Sequence, residues 1–194
     1  LVLRLLFPFA AVGVAAFAAE NDWGLLNHFE VTPWLATPIA LIALDFVIWL
    51  QHVMFHAVPN LWRLHRVHHA DLDFDVTTGT RFHPVEILIS PLIKMAAVAA
   101  IGAPAVAVLV FEVLLNATAM FNHANLRLPE RLDRLLRLVL VTPDMHRVHH
   151  SVVPRETNSN FGFNLAVWDR IFGTYRAQPA AGHDGVHVRM VRQR

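Results

Sequence analysis

The twenty-two residues from Trp34 to Phe55 contain a single formally charged side chain, Asp45. That length and character match the roughly 20 apolar residues an α-helix needs to cross the hydrocarbon core of a bilayer. In lipid, every backbone N–H and C=O must be satisfied within the spanning structure, which leaves helices and closed barrels as the options. Three further apolar stretches follow the same pattern: about Leu1 to Ala19 with Arg4 as its only charge, about Ile87 to Ile101, and about Ala105 to Met120. Gly102-Ala103-Pro104, between the last two, reads as the turn of a tight helical hairpin. The first stretch has a second reading as a cleavable leader, with Arg4 ahead of an apolar centre and Ala16-Phe17-Ala18 near its end. A chain with further spans needs no export signal, so a span is preferred. The expected fold is all-α: an integral membrane helical bundle of about four spans with a cytoplasmic histidine-rich helical cap, forming one domain over residues 1–194.

Composition points the same way. The chain is 55% hydrophobic and 16% charged, with a mean hydropathy of +0.43, whereas soluble domains carry about 25% charged residues. A net charge of +1 provides no general attraction for nucleic acid. The absence of cysteine excludes disulfides, thiolate metal ligands and a cysteine nucleophile. Lysine and arginine concentrate on the cytoplasmic side of membrane proteins. Glu20 to Thr32 has neither, while Arg63, Arg66 and Arg81 follow the second span and eleven arginines follow the fourth. Within that last region, Leu132, Leu135, Leu136 and Val139 share one helical side and Arg131, Asp133, Arg134 and Arg137 the other, as expected of a helix lying in the headgroup layer.

On the cytoplasmic side of this scheme stands a repeat. His-Arg-Val-His-His occurs at His65–His69 and again at His146–His150, so that His65, His68 and His69, and likewise His146, His149 and His150, have i, i+3, i+4 spacing and share a helical face. His52 and His56 repeat the i, i+4 part at the end of the second span. Eight imidazoles exceed the three or four protein ligands of one zinc site, which makes two metal ions the natural reading. His123, just after the last span, reaches the same level and is expected to be a further ligand. Asp45 lies on the face of His52 and His56, where it either accepts a hydrogen bond from a ligating imidazole or bonds to a neighbouring helix. His83 reads as an outer partner of the site rather than a ligand, since Pro84 and Glu86 resemble the first turn of a helix. Glu86 and Asp144 are further carboxylates near the histidine motifs. His28, His183 and His187 fall in polar loop or tail sequence.

The residues from about Asp45 to Tyr175 resemble the fatty acid hydroxylase superfamily, also called the sterol desaturase family. The likeness rests on the ordered histidine motifs, on Trp62-Arg63-Leu64-His65, Arg81-Phe82-His83-Pro84 and Thr142-Pro143-Asp144-Met145, and on the late elements Asn158-Ser159-Asn160-Phe161-Gly162 and Trp168-Asp169-Arg170-Ile171-Phe172-Gly173-Thr174-Tyr175. The resemblance implies a non-haem di-iron centre that uses O2 and external electrons to hydroxylate or desaturate a lipid. Its ligands would be His52, His56, His65, His68, His69, His146, His149 and His150, with His123 in the place of the family's extra histidine. The implied partners are a membrane lipid, the bilayer, and an electron donor of ferredoxin, cytochrome or reductase type. The aromatic residues Phe161, Phe163, Trp168, Phe172 and Tyr175 either line a substrate channel or anchor the C-terminal segment, and anchoring is expected. A membrane metal transporter would place its ligands near the midplane of several spans, unlike this pattern. A membrane zinc hydrolase would be expected to carry His-Glu-x-x-His with its general base, which is absent.

Overall fold

The computed structural model describes residues 2–71, 74–180 and 182, and among these it is helical, with one isolated bridge between Leu140 and Leu165 and no strand. In chain order the α-helices are α1 (Val2–Glu20), α2 (Leu25–His28), α3 (Pro33–Ala57), α4 (Pro59–His65), α5 (Pro84–Ile101), α6 (Ala105–Asn122), α7 (Glu130–Leu136), α8 (Pro143–His149), α9 (Pro154–Thr157) and α10 (Val167–Ile171). Two 3-10 turns, His68–Ala70 and Val76–Thr80, lie between α4 and α5.

Three of the expected spans are helices long and apolar enough to cross a bilayer: α3 with 25 residues, and α5 and α6 with 18 each. Only 17–33% of the most apolar window of each is buried within the protein, so most of their apolar surface suits contact with lipid. The first stretch forms the 19-residue helix α1, and its crossing of a membrane rests on the sequence argument.

The chain divides into two compact units. One comprises the described residues up to Ile48 together with Pro84–Leu115. Within it, α5 ends where Gly102 takes a left-handed φ of 71° and the amides of Gly102 and Ala103 return to the carbonyl of Val98, a glycine helix stop. Pro104 then precedes α6, forming the hairpin turn that the sequence predicts. Gly24 packs so closely on this stop that a Cβ there would lie 2.1 Å from the Gly102 nitrogen. Inside the hairpin, the buried Lys94 of α5 forms an ion pair with the buried Glu112 of α6. Such pairing is what tolerates charge in a membrane helix.

The second unit comprises Trp49–His83 and the chain from Asn116 onward. Its small apolar core is Val141, Met145 and Ala166, with Tyr175 packed against it. Around this core run polar ties. The buried Arg137 donates to Asp133 at 2.6 Å and to Thr142 at 3.2 Å, and Thr142 donates to Asp133 at 2.7 Å. The segment read as amphipathic is therefore inward-facing at Asp133 and Arg137, while Leu132, Leu135, Leu138 and Val139 are exposed. That arrangement excludes a leucine face packed on this unit's own core and suits an apolar surrounding.

Candidate metal centre

All nine histidines expected as ligands lie in the second unit. His52 and His56 stand on the last two turns of α3, and His65 closes α4, whose start is set by Pro59 in its first turn. His68 and His69 follow in the 3-10 turn, and His123 comes just after α6. His146 and His149 belong to α8, which Thr142 caps by accepting from the Met145 amide ahead of Pro143 in the first turn; His150 is its C-cap.

The nine side chains form two sets. In the first, one ring nitrogen from each of His52, His56, His65, His69 and His149 lies within 4.8 Å of all the others; in the second the same holds for His68, His123, His146 and His150. Each pentapeptide is split between them. The first copy gives its opening and closing histidines to the five-residue set and its fourth position, His68, to the other. The second copy does the reverse, sending His149 to the five-residue set. The two sets touch, with His69 stacked on His150 at 4.4 Å between ring centroids and His68 next to His65 at 5.3 Å. Eight of the nine rings are buried, and His56 is partly buried.

Hydrogen bonds fix which nitrogen of several rings points inward. A carbonyl oxygen can only accept, so a ring nitrogen bonded to one must carry the proton. On that basis His52 Nδ1 donates to Phe161 O at 2.8 Å, His68 Nδ1 to Thr78 O at 3.0 Å, His123 Nδ1 to Ala119 O at 2.6 Å and His149 Nδ1 to Ser159 O at 2.8 Å. His56 Nδ1 lies 3.3 Å from the side-chain oxygen of Asn158. In neutral rings so arranged, each Nε2 presents a lone pair. Yet Nε2 of His68 and Nε2 of His123 face each other at 3.1 Å. Two acceptors at that distance repel unless a cation lies between them. His56 Nε2, His149 Nε2, His146 Nδ1 and both ring nitrogens of His69 and His150 are also buried without a hydrogen-bond partner, a state that folded proteins avoid. Nitrogen donors of this kind suit iron, copper or zinc.

The rings are held neutral. Burial first, then the neighbouring imidazoles, pushes His65, His69, His146, His149 and His150 well below the ordinary histidine value of 6.5. His68 is lowered in the same way, and burial brings His123 down to about 4. At neutral pH these rings are therefore uncharged and do not repel a cation.

The other expected residues have separate placements. Asp45 is buried in α3 and Glu86 in α5. Asp144 pairs with Arg147 along α8, and His83 is partly buried ahead of α5. His28 is exposed at the end of α2, whereas His183 and His187 lie outside the described residues. Anchoring at an interface does not describe the aromatic residues evenly. Phe161 is buried against His52, His56 and His149, and Phe163 reaches both sets, at 5.1 Å from His52 and 6.0 Å from His146. Phe172 is 52% exposed and stacks on Trp49. Sequence reasoning missed the carbonyls that orient the rings, and also Asp71 and Gly79, and it gave Asn158 no role beyond its place in a motif of resemblance. Asp71 accepts from Thr78 Oγ1 at 2.6 Å and from Arg81 at 2.5 Å, bracing the turn whose carbonyl orients His68. Gly79 lies so close to His123 that an added Cβ would sit 3.1 Å from Nδ1.

Comparison with known proteins gives a consistent result. The pattern of the family described as Fatty acid hydroxylase matches residues 37–174. The chain is 29% identical over 176 residues to an ornithine lipid hydroxylase, OlsE, of Rhizobium tropici, covering 89% of this chain and 51% of that protein. It is 31% identical over 159 residues to the alkylglycerol monooxygenase of Homo sapiens, covering 81% of this chain and 34% of the relative. A cholesterol 25-hydroxylase of Rattus norvegicus is 28% identical over 144 residues, covering 73% and 47%. The chain thus spans about half or less of the length of these relatives. No solved structure matches it.

Proposed function

The chain belongs to the fatty acid hydroxylase family, and from that premise we propose that it is an O2-dependent lipid hydroxylase or desaturase built on a histidine-ligated di-iron centre. His52, His56, His65, His69 and His149 would hold one ion, and His68, His123, His146 and His150 the other. The carrying observation is the pair of lone pairs facing each other at 3.1 Å between His68 and His123, within a cluster rich in buried, unpartnered ring nitrogens. A bound cation would relieve such an arrangement at neutral pH. Two iron ions held by these rings would supply redox chemistry toward O2 and the oxidising power to attack an unactivated C–H bond. Zinc has no redox chemistry to offer there.

The chain's own residues prepare the site. Carbonyls of Phe161, Thr78, Ala119 and Ser159 select the tautomer of four rings. The rings of Trp62, Phe74, Phe82, Phe161 and Phe163 pack against the imidazoles, keeping water from a centre where it would divert the oxidant. Inserting one oxygen atom of O2 into a C–H bond reduces the other to water and consumes two electrons and two protons. An external donor of ferredoxin, cytochrome or reductase type would supply those electrons from the cytoplasmic side, the side that the arginine distribution favours for the histidines. The relatives act on an ornithine lipid, an alkylglycerol and cholesterol by name, which supports a fatty acyl, sterol, isoprenoid or ether-lipid substrate in the bilayer. Residues 1–194 act in this reading as one membrane-embedded domain.

The test is the lipid content of cells with and without this chain, grown under labelled dioxygen. One or more lipids should lose hydrogen or gain labelled oxygen only when the chain is present. Unchanged lipids in cells whose purified chain carries two irons would contradict the proposal, and a single zinc without iron would favour a hydrolase.

A further inference from the structure

Three rings of the five-residue set take their orientation from one short segment. Asn158 meets His56, Ser159 O accepts from His149, and Phe161 O accepts from His52. What holds that segment is the carboxylate of Asp169, fully buried in α10. Its Oδ1 accepts from the Phe161 amide at 2.8 Å and from the Thr174 hydroxyl at 2.6 Å, and its Oδ2 accepts from the Gly162 amide at 2.8 Å. Oδ1 also accepts from the indole N–H of Trp49 at 3.1 Å. Trp49 lies on α3 one turn before His52, so a single carboxylate ties down both the helix that carries His52 and the carbonyl that orients it. The approach requires glycine at 162, since a Cβ there would lie 3.0 Å from Oδ2 and 2.8 Å from the Leu165 carbonyl. The four-residue set meets the carboxylate only indirectly: Asn160 of the braced segment donates to the carbonyl of Met145, beside His146, and Asn122, beside His123, donates to the carbonyl of Phe163. Its orienting carbonyls belong to Thr78 and Ala119, and neither residue bonds to Asp169.

We infer that Asp169 is a positioning residue chiefly for one of the two metal sites: it sets the aim of His52 and the packing of the 158–162 segment, and acts on the four-residue site far less. This rests on the two-ion reading given above. A carboxylate satisfied by four neutral donors can also be a plain structural brace, and the two roles differ in selectivity. A brace would weaken the fold and both sites together, whereas a positioning residue weakens chiefly one.

The experiment titrates Co(II) into the purified chain in detergent after metal removal and follows the visible absorption of the bound ion. The wild-type chain should take up two Co(II). Asp169→Asn should weaken one site by about tenfold, the lower end of the effect of losing a partner one step out from a ligand. The spectrum of the retained site should overlay the one left by His56→Ala and differ from the one left by His146→Ala. Trp49→Phe, which keeps the ring and removes the donor, should weaken the same site by a smaller factor, and it carries the test if Asp169→Asn does not fold. Equal weakening of both sites, greater weakening of the four-residue site, or unchanged binding at both would overturn the inference. Fewer than two Co(II) in the wild-type chain would instead remove the two-ion reading itself, before any variant is compared.

Discussion

The two histidine sets lie side by side yet are held in different ways. Most of the support for the four-residue set is local: His123 bonds to the carbonyl four residues before it, and His68 to one ten residues after it. The five-residue set depends on distant chain, because His52 takes its acceptor from a residue 109 positions away and His56 from one 102 away. Aiming a ring through local backbone needs little beyond the helix or turn that carries it. Through a remote loop, the same task needs the whole second unit folded. The five-residue set should therefore be the more easily lost of the two, and its partly buried member, His56, the more approachable ligand.

The strongest challenge to this contrast is removal of one ligand from each set. His149→Ala and His68→Ala should each reduce lipid oxidation to background through metal loss, measured as labelled product and iron per chain. Full activity in either would break the assignment of that set. Asn160→Ala comes next. Asn160 is fully buried with a left-handed φ of 53°, donates to the carbonyls of Met145 and Arg176 at 2.9 and 2.8 Å, and accepts from the Arg176 amide. Leaving those groups unpaired costs about 1–3 kcal/mol, so the melting temperature should fall and the five-residue site should weaken more than the other. Asn158→Ala removes only the acceptor facing His56 and should lower affinity at the five-residue site by about tenfold, with an unchanged melting temperature.

A separate prediction concerns acid. His123 is lowered from 6.5 to about 4 in the folded chain, so between these values the unfolded chain binds protons that the folded one does not. Stability of the metal-free chain is thus full above pH 6.5 and declines as pH falls toward 4. Thermal melts of the metal-free chain across that range should show the decline, and a melting temperature independent of pH would mean that the histidines are not buried as neutral rings.

Much of this was legible in the residues. Long apolar runs and the Gly102 stop mark α3, α5, α6 and their hairpin because lipid permits few alternatives, and histidines at helical spacing mark themselves. The division of each pentapeptide between two sets was not legible. On a helix, i+3 and i+4 lie about 100° apart around the axis, so shared spacing puts three rings on one broad face without saying that they meet at one point. The acceptors that orient the rings are backbone carbonyls, which every residue has and no side chain advertises. Carboxylates at Asp45, Glu86 and Asp144 drew attention as outer partners, while Asp169, inside a motif noted only for its resemblance, holds the segment that aims three rings. The inward turn of Arg137 and Asp133 was hidden for a related reason: a charged face looks solvated until a buried partner such as Thr142 is known.

The central claim is that nine histidines form two adjoining metal sites. An anomalous difference map recorded at the iron edge from crystals of the purified chain tests it directly. The account predicts two peaks, one amid His52, His56, His65, His69 and His149 and the other amid His68, His123, His146 and His150. A single peak, or iron density away from these rings, would contradict it.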